Sequence, residues 1–386
     1  MPTRSLFKPL ALALLTAALP GIALATPEED CRDASLAAED RIFACNMAIE
    51  RADDEDRFSL LIESGRAYYG DGRYDEAEEA ARAAMALKPS SHLAPLDLSW
   101  IEQARGESEA ALAWVEQAFE LAPTNPWVLE QFILVLRDVD RIPECVPYAV
   151  TLTSVAPRTD FHMFGTIAQC MQDTDHFEEA VVAYEVALSL GEDIGWANGN
   201  LARALWSIDR YEEAAEAGAI AVEADPGNTY ALATLIDSLA RLGRLDEAVT
   251  VFEAHRPSYR EAEDAEDVHN YIGWPLYLAG RFDEGRDVME EWRLDRPSAD
   301  EWEFAALDTL AHIYAALGEQ TRARRYFLAS LDSGDEAQEA LYRDRLAALG
   351  IEVGLERRDL EAAIGDCVNM GAECRLYDPA TTSYPF

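Results

Sequence analysis

Arg73-Tyr74-Asp75-Glu76-Ala77-Glu78-Glu79-Ala80 (RYDEAEEA, 73–80) is the stretch that decides how the chain folds, because it comes back. Variants stand at 176–183 (HFEEAVVA), 210–217 (RYEEAAEA), 244–251 (RLDEAVTV) and 281–288 (RFDEGRDV). Its first small residue serves as an anchor and selects Ala77, Ala111, Cys145, Ala180, Ala214, Ala248, Gly285 and Ala323. Five of the intervals are 34 or 35 residues, and the last two are 37 and 38. Five residues before each anchor stand Gly72, Gly106, Asp140, Asp175, Asp209, Gly243, Gly280 and Gly318. All are Gly or Asp, the types that tolerate a tight turn. Twelve residues after the anchor, Pro89, Pro123, Pro157, Pro226 and Pro297 fill five of eight positions, far more than 17 Pro scattered over 386 residues would give. A fixed period of this length is the mark of stacked supersecondary units.

One period reads as a helical hairpin. Helix A runs from Phe58 to Tyr69, with Leu61, Gly65 and Tyr68 on one face and Gly65 small where two helices cross closely. Gly72 makes the turn and Tyr74 packs across it. Helix B runs from about Asp75 to Leu87 with Ala77, Ala81 and Ala84 inward, and Pro89 stops it. Such a hairpin cannot bury its apolar face alone and needs its neighbours on both sides.

These residues resemble the tetratricopeptide repeat family: small and aromatic positions on helix A, a small anchor on helix B, a closing Pro. The resemblance covers residues 58–337. It implies an all-α fold, a right-handed α-solenoid of about eight hairpins with atypical helical caps. Single units are degenerate; Ser99 replaces the small glycine in the second, and the sixth ends in His255-Arg256-Pro257. The long intervals place extra residues, Glu261–Asp267 among them, before the last two helices A.

The resemblance also implies that the inner face of helix A lines a concave groove. Carried over in phase, that groove takes Arg66, Tyr69, Trp100, Trp127, Arg137, Gln169, Trp196, Arg203, Trp206, Arg241, Asn270 and Trp274. Trp and Arg are the residues most enriched in binding hot spots. A Trp at helical spacing fits the core between repeats equally well, and the Asp/Glu runs of helix B read as a solvated face. His162, His269 and His312 are isolated and read as structural.

The ends of the array differ from its middle. Residues 26–57 are expected to form a helical cap, and 338–386 capping helices with a polar tail. Six cysteines allow fifteen pairings. The local one is expected: Cys31 with Cys45 stapling the cap, Cys145 with Cys170 joining neighbouring antiparallel helices, and Cys367 with Cys374 closing the tail. Metal binding is disfavoured, since no CxxC occurs and no two His stand four apart on a helix.

Residues 1–25 are foreign to the rest. Arg4 and Lys8 precede an apolar run from Leu10 to Leu19, followed by Ala23-Leu24-Ala25, the order of a secretory signal peptide. Export, to the periplasm or beyond, is the expectation, with no membrane insertion after cleavage, because the run is shorter than the roughly 20 residues of a spanning helix. The formal net charge of −41 argues against nucleic acid and anionic membrane as partners. No nucleophile elbow, Walker loop, dinucleotide fingerprint or HExxH motif is present, so neither an enzyme nor a cofactor is expected. The expected function is a scaffold that binds a protein or peptide partner, as an extended segment or a helix in the groove. The alternative is a structural adaptor of an envelope assembly or export complex, working through its convex face or caps.

Overall fold

The computed structural model describes residues 26–191, 193–259, 265–295, 304–334, 336–374 and 376. Every regular element among them is helical. The chain divides at Val139 into two compact units.

The first unit opens with the short α1 (Pro27–Arg32) and α2 (Ala38–Ile49), followed by the hairpins α3 (Asp54–Gly70)/α4 (Tyr74–Leu87) and α5 (Leu93–Ala104)/α6 (Ser108–Leu121), and closes on α7 (Pro126–Asp138). The second begins with a 3-10 turn (Ile142–Cys145) and α8 (Val146–Val155). Five hairpins follow: α9 (Phe161–Asp173)/α10 (Phe177–Ser189), α11 (Ile194–Ser207)/α12 (Tyr211–Ala224), α13 (Thr229–Arg241)/α14 (Leu245–Tyr259), α15 (Ala265–Leu278)/α16 (Phe282–Asp295) and α17 (Phe304–Ala316)/α18 (Gln320–Ser333). The unit ends with α19 (Glu336–Ala348), α20 (Arg357–Val368) and a 3-10 turn at Gly371–Glu373. The described residues are all-α, as the resemblance implied.

Each feature of the repeat has a visible physical cause. All seven Ala and Cys anchors are fully buried, and Gly285 is buried with them. A Cβ added to Gly65 would lie 3.4 Å from the carbonyl oxygen of Ala77, so the two helices of the hairpin touch backbone to backbone. In the second hairpin Ser99 takes that place and donates its hydroxyl to the Ala111 carbonyl at 2.9 Å. The prolines Pro89, Pro123, Pro157 and Pro226 follow two residues after α4, α6, α8 and α12 end. Pro297 lies outside the described residues. Pro257 sits inside the last turn of α14, which runs on to Tyr259. Of the inserted stretch Glu261–Asp267, residues 261–264 lie outside the described residues and the rest open α15.

Five helices A start on side-chain caps: Asp53, Asn125, Asp160, Asp193 and Asn228 each accept from backbone N–H groups of the first turn. Helices B start differently. Arg73, Arg210, Arg244 and Arg281, at the head of the repeated phrase, each grip the Glu three residues on. The hydrogen bond from the arginine holds Glu76, Glu213 and Glu284 below the ordinary carboxylate range. Each pair is exposed and contributes little to stability, but the arrangement accounts for the R-x-x-E core of the phrase.

All eight turn residues have positive φ, from 57° at Asp140 to 80° at Gly106. Five are Gly, which takes this conformation freely, and three are Asp, which takes it at a cost. Gly243→Ala meets no neighbour within 4 Å, so its effect should be purely conformational, a loss of about 1 kcal/mol. Asp175→Gly should raise stability by up to about 1 kcal/mol. Urea denaturation of the two variants should show opposite signs.

The sulfur atoms of the three local cysteine pairs lie within bonding distance, at 2.03 Å (Cys31–Cys45), 1.96 Å (Cys145–Cys170) and 2.04 Å (Cys367–Cys374). Among the described residues no helix is long and apolar enough to cross a membrane.

Candidate binding faces of the helix A elements

In the first unit, α3, α5 and α7 carry five of the expected groove residues. Arg66 Nε donates to Asp97 Oδ1 at 3.1 Å, and its guanidinium sits 5.8 Å from the Trp100 ring centre. Tyr69 packs at 5.8 Å against Tyr74 and keeps 37% of its surface exposed. Trp127, at the start of α7, is 47% exposed, the most open of the expected aromatic positions. Between them runs a polar ladder. Gln131 Nε2 is within bonding distance of both Ser99 Oγ (3.1 Å) and Gln103 Oε1 (2.9 Å), and Gln103 donates to Asp138 at 2.5 Å. Arg137 is half-buried beside it.

Asp97 was not expected here. It is 4% exposed, and its Oδ2 is buried without a hydrogen-bond partner. Burial pushes its carboxyl up to about 7 despite Arg66, with Glu63 adding to the rise. An unfolded Asp titrates near 3.8, so between about pH 4 and 7 the folded state holds a proton that the unfolded state has released. Stability from this group is therefore greatest at low pH and is lost as pH rises to 7. Asp97→Asn removes the titration. Relative to the parent it should gain roughly 2–3 kcal/mol between pH 5 and pH 8, measured by urea denaturation at both values.

In the second unit the richest cluster lies on α11 and α13. Trp206 Nε1 donates to Asp237 Oδ2 at 2.6 Å, and Arg241 Nε donates to the same oxygen at 2.5 Å. The Arg241 guanidinium lies 5.0 Å from the Trp206 ring and 5.3 Å from that of Tyr211. Arg203 stacks 4.9 Å over Tyr230, which is 39% exposed, and forms no ion pair among the described residues. Asp237, 8% exposed, thus orients Trp206 and Arg241. It is a residue of this face that the sequence reading left out. Its signal was an Asp four residues before Arg241 on one helix face.

Three expected groove residues are placed otherwise. Trp196 is half-buried, edge-on to Phe161 and Tyr184 at 5.9 Å each, with its ring over Gly165, whose added Cβ would come within 3.0 Å. It is a packing residue between α9, α10 and α11. Asn270 and Trp274 are both 4% exposed and belong to the core. Asn270 Oδ1 accepts from Thr309 at 2.6 Å, while Trp274 meets Tyr277 and His312 at 5.0 and 5.3 Å. The cause is α17, apolar on nearly every side, which needs cover all round. Trp274 covers one side of it. The chain's own tail covers another: the Leu376 N–H donates to His312 Nε2 at 3.0 Å, and Leu376 is fully buried. Gln169 remains half-buried on α9. Among the described residues no group of three or more His, Cys, Asp or Glu converges as a metal site.

A tetratricopeptide repeat model matches residues 62–126, 172–229 and 200–263. Similar solved structures include PilF of Pseudomonas aeruginosa, 17% identical over 55% of this chain and 97% of its own, with a TM-score of 0.47. YrrB, described as a tetratricopeptide protein with an unusual peptide-binding site, is 18% identical over 50% of this chain and 95% of its own, at 0.40. MamA of Desulfovibrio magneticus RS-1 is 18% identical over 44% and 96%, also at 0.40. No curated protein matches the chain.

Proposed function

We propose that the chain is a non-enzymatic interaction scaffold, and that the α11–α13 face of the second unit captures an extended peptide or partner helix. The observation that carries this reading is Arg203, a cation with no ion pair among the described residues, stacked on a half-exposed Tyr beside the Asp237-oriented Trp206 and Arg241. Such an array offers aromatic surface and directed charge in one place, the composition of interface hot spots. Arg203→Ala with Trp206→Ala should lower partner capture at least tenfold while leaving the helical circular dichroism unchanged. Capture at the parental level sinks the groove reading.

We further propose that the protein works outside the cytoplasm, in the periplasm, after loss of residues 1–25, with its three cysteine pairs oxidised. The signal-like order of residues 4–25 and three buried sulfur pairs within bonding distance support this. N-terminal sequencing of the protein from its own cells should start at Thr26. Unreduced protein should take up no alkylating reagent. Retention of Met1, or six alkylated thiols, defeats it.

A further inference from the structure

We propose that the cleft between α18 and α20, at the C-terminal end of the second unit, docks an acidic peptide segment that bears an aliphatic side chain. This goes beyond the α11–α13 face, from which it is separate in the chain. The cleft has a volume of about 860 Å³, within the size of small-ligand and peptide side-chain sites. Arg324 and Arg325 line one wall, and both are exposed. Most arginines of this acidic chain are ion-paired, yet these two form no ion pair among the described residues. The neighbouring carboxylates are engaged elsewhere: Asp332 and Glu361 with Arg357, Glu319 with Arg322. Asp366, on the facing helix, is the one lining carboxylate without an ion pair among the described residues.

The opposite wall is open because it is built on Gly365. A Cβ there would stand 3.6 Å from Arg324 Nε, so any larger side chain would close on the guanidinium. Leu328 and Val368 complete the floor. A guanidinium pair takes carboxylates through directed, two-pronged hydrogen bonds, and the floor takes one aliphatic side chain. A net charge of −41 makes most of the surface hostile to an acidic partner. Two unpaired arginines side by side give it a place where short-range attraction prevails, and register is set by that pair.

The probe is a fluorescein-labelled, amidated peptide Glu-Asp-Leu-Glu-Asp-Leu, titrated with the full mature chain by fluorescence polarisation at low salt. We expect saturable binding that weakens at least tenfold in R324E/R325E, several-fold in Gly365→Val, and about tenfold when salt rises to 0.3 M. R203A/W206A should bind the probe like the parent, which keeps this site apart from the α11–α13 face. A probe with Gln and Asn for its acids, or Ser for its leucines, should bind at least tenfold more weakly. Absence of binding, equal binding by R324E/R325E, loss in R203A/W206A, or tighter binding of inorganic polyphosphate than of the peptide would each overturn the proposal.

Discussion

Asp308→Ala is expected to destabilise the second unit by about 3 kcal/mol, because it strips the polar centre from a fully buried cluster of the core. Asp308 is 3% exposed on α17. Its Oδ1 accepts from the Tyr342 hydroxyl at 2.5 Å, which also lies 2.8 Å from Ser330 Oγ. Its Oδ2 stands 3.3 Å from His312 Nδ1. Tyr342 and His312 are both fully buried, so neither can turn to water when the carboxylate goes. Burial first, then Asp308, drive the Tyr342 phenol well above its ordinary range, which keeps it a donor. Tyr342→Phe should cost less, about 1–2 kcal/mol, since the carboxylate keeps His312. The double variant should then fall short of the sum, the signature of one shared network. Urea denaturation of the four proteins measures it. Strict additivity would mean that α19 is not tied to α17 through this bond.

The same cluster shows how far the sequence could be read. Anchors and turns, repeated eight times, and helix stops, repeated five times, were legible because each depends on a few neighbouring residues. Gly72 and Asp175 declare positive φ by type, and Ala77 declares a close crossing by size. What escaped was anything that depends on how one hairpin turns against the next. Trp206 and Trp274 share the face of helix A, yet one frames a surface cluster with Asp237 and the other is sealed against His312. That outcome was set by the following helix. The α13 helix brings Asp237 and Arg241, whereas α17 brings an apolar cylinder with a tail folded over it. Buried acids were the hardest to foresee. Asp97, Asp237 and Asp308 sit among 73 acidic residues, and composition alone hides which few are inside.

Replacing Cys145 and Cys170 together by Ser should cost more than removing either of the other pairs. With the bond formed, it closes 25 residues, against 14 for Cys31–Cys45 and 7 for Cys367–Cys374. Restricting the unfolded chain over such loops stabilises by about 3.5, 3.0 and 2.4 kcal/mol respectively. The location matters as much as the loop. Cys145 ends the 3-10 turn, which holds Pro143, and leads into α8, a ten-residue helix with Pro147 in its first turn and no charged side chain. Isolated helices of that length are marginal. A bond from Cys145 to Cys170 would fasten the start of α8 to the last turn of α9, where propensity gives little support. In the double Ser variant, amide exchange should therefore rise first and most across 146–155, while α11 and α12 keep their protection. Uniform loss of protection across the unit would show instead that the pair supports the whole fold. Unchanged stability under reducing conditions would show that the bond does not form.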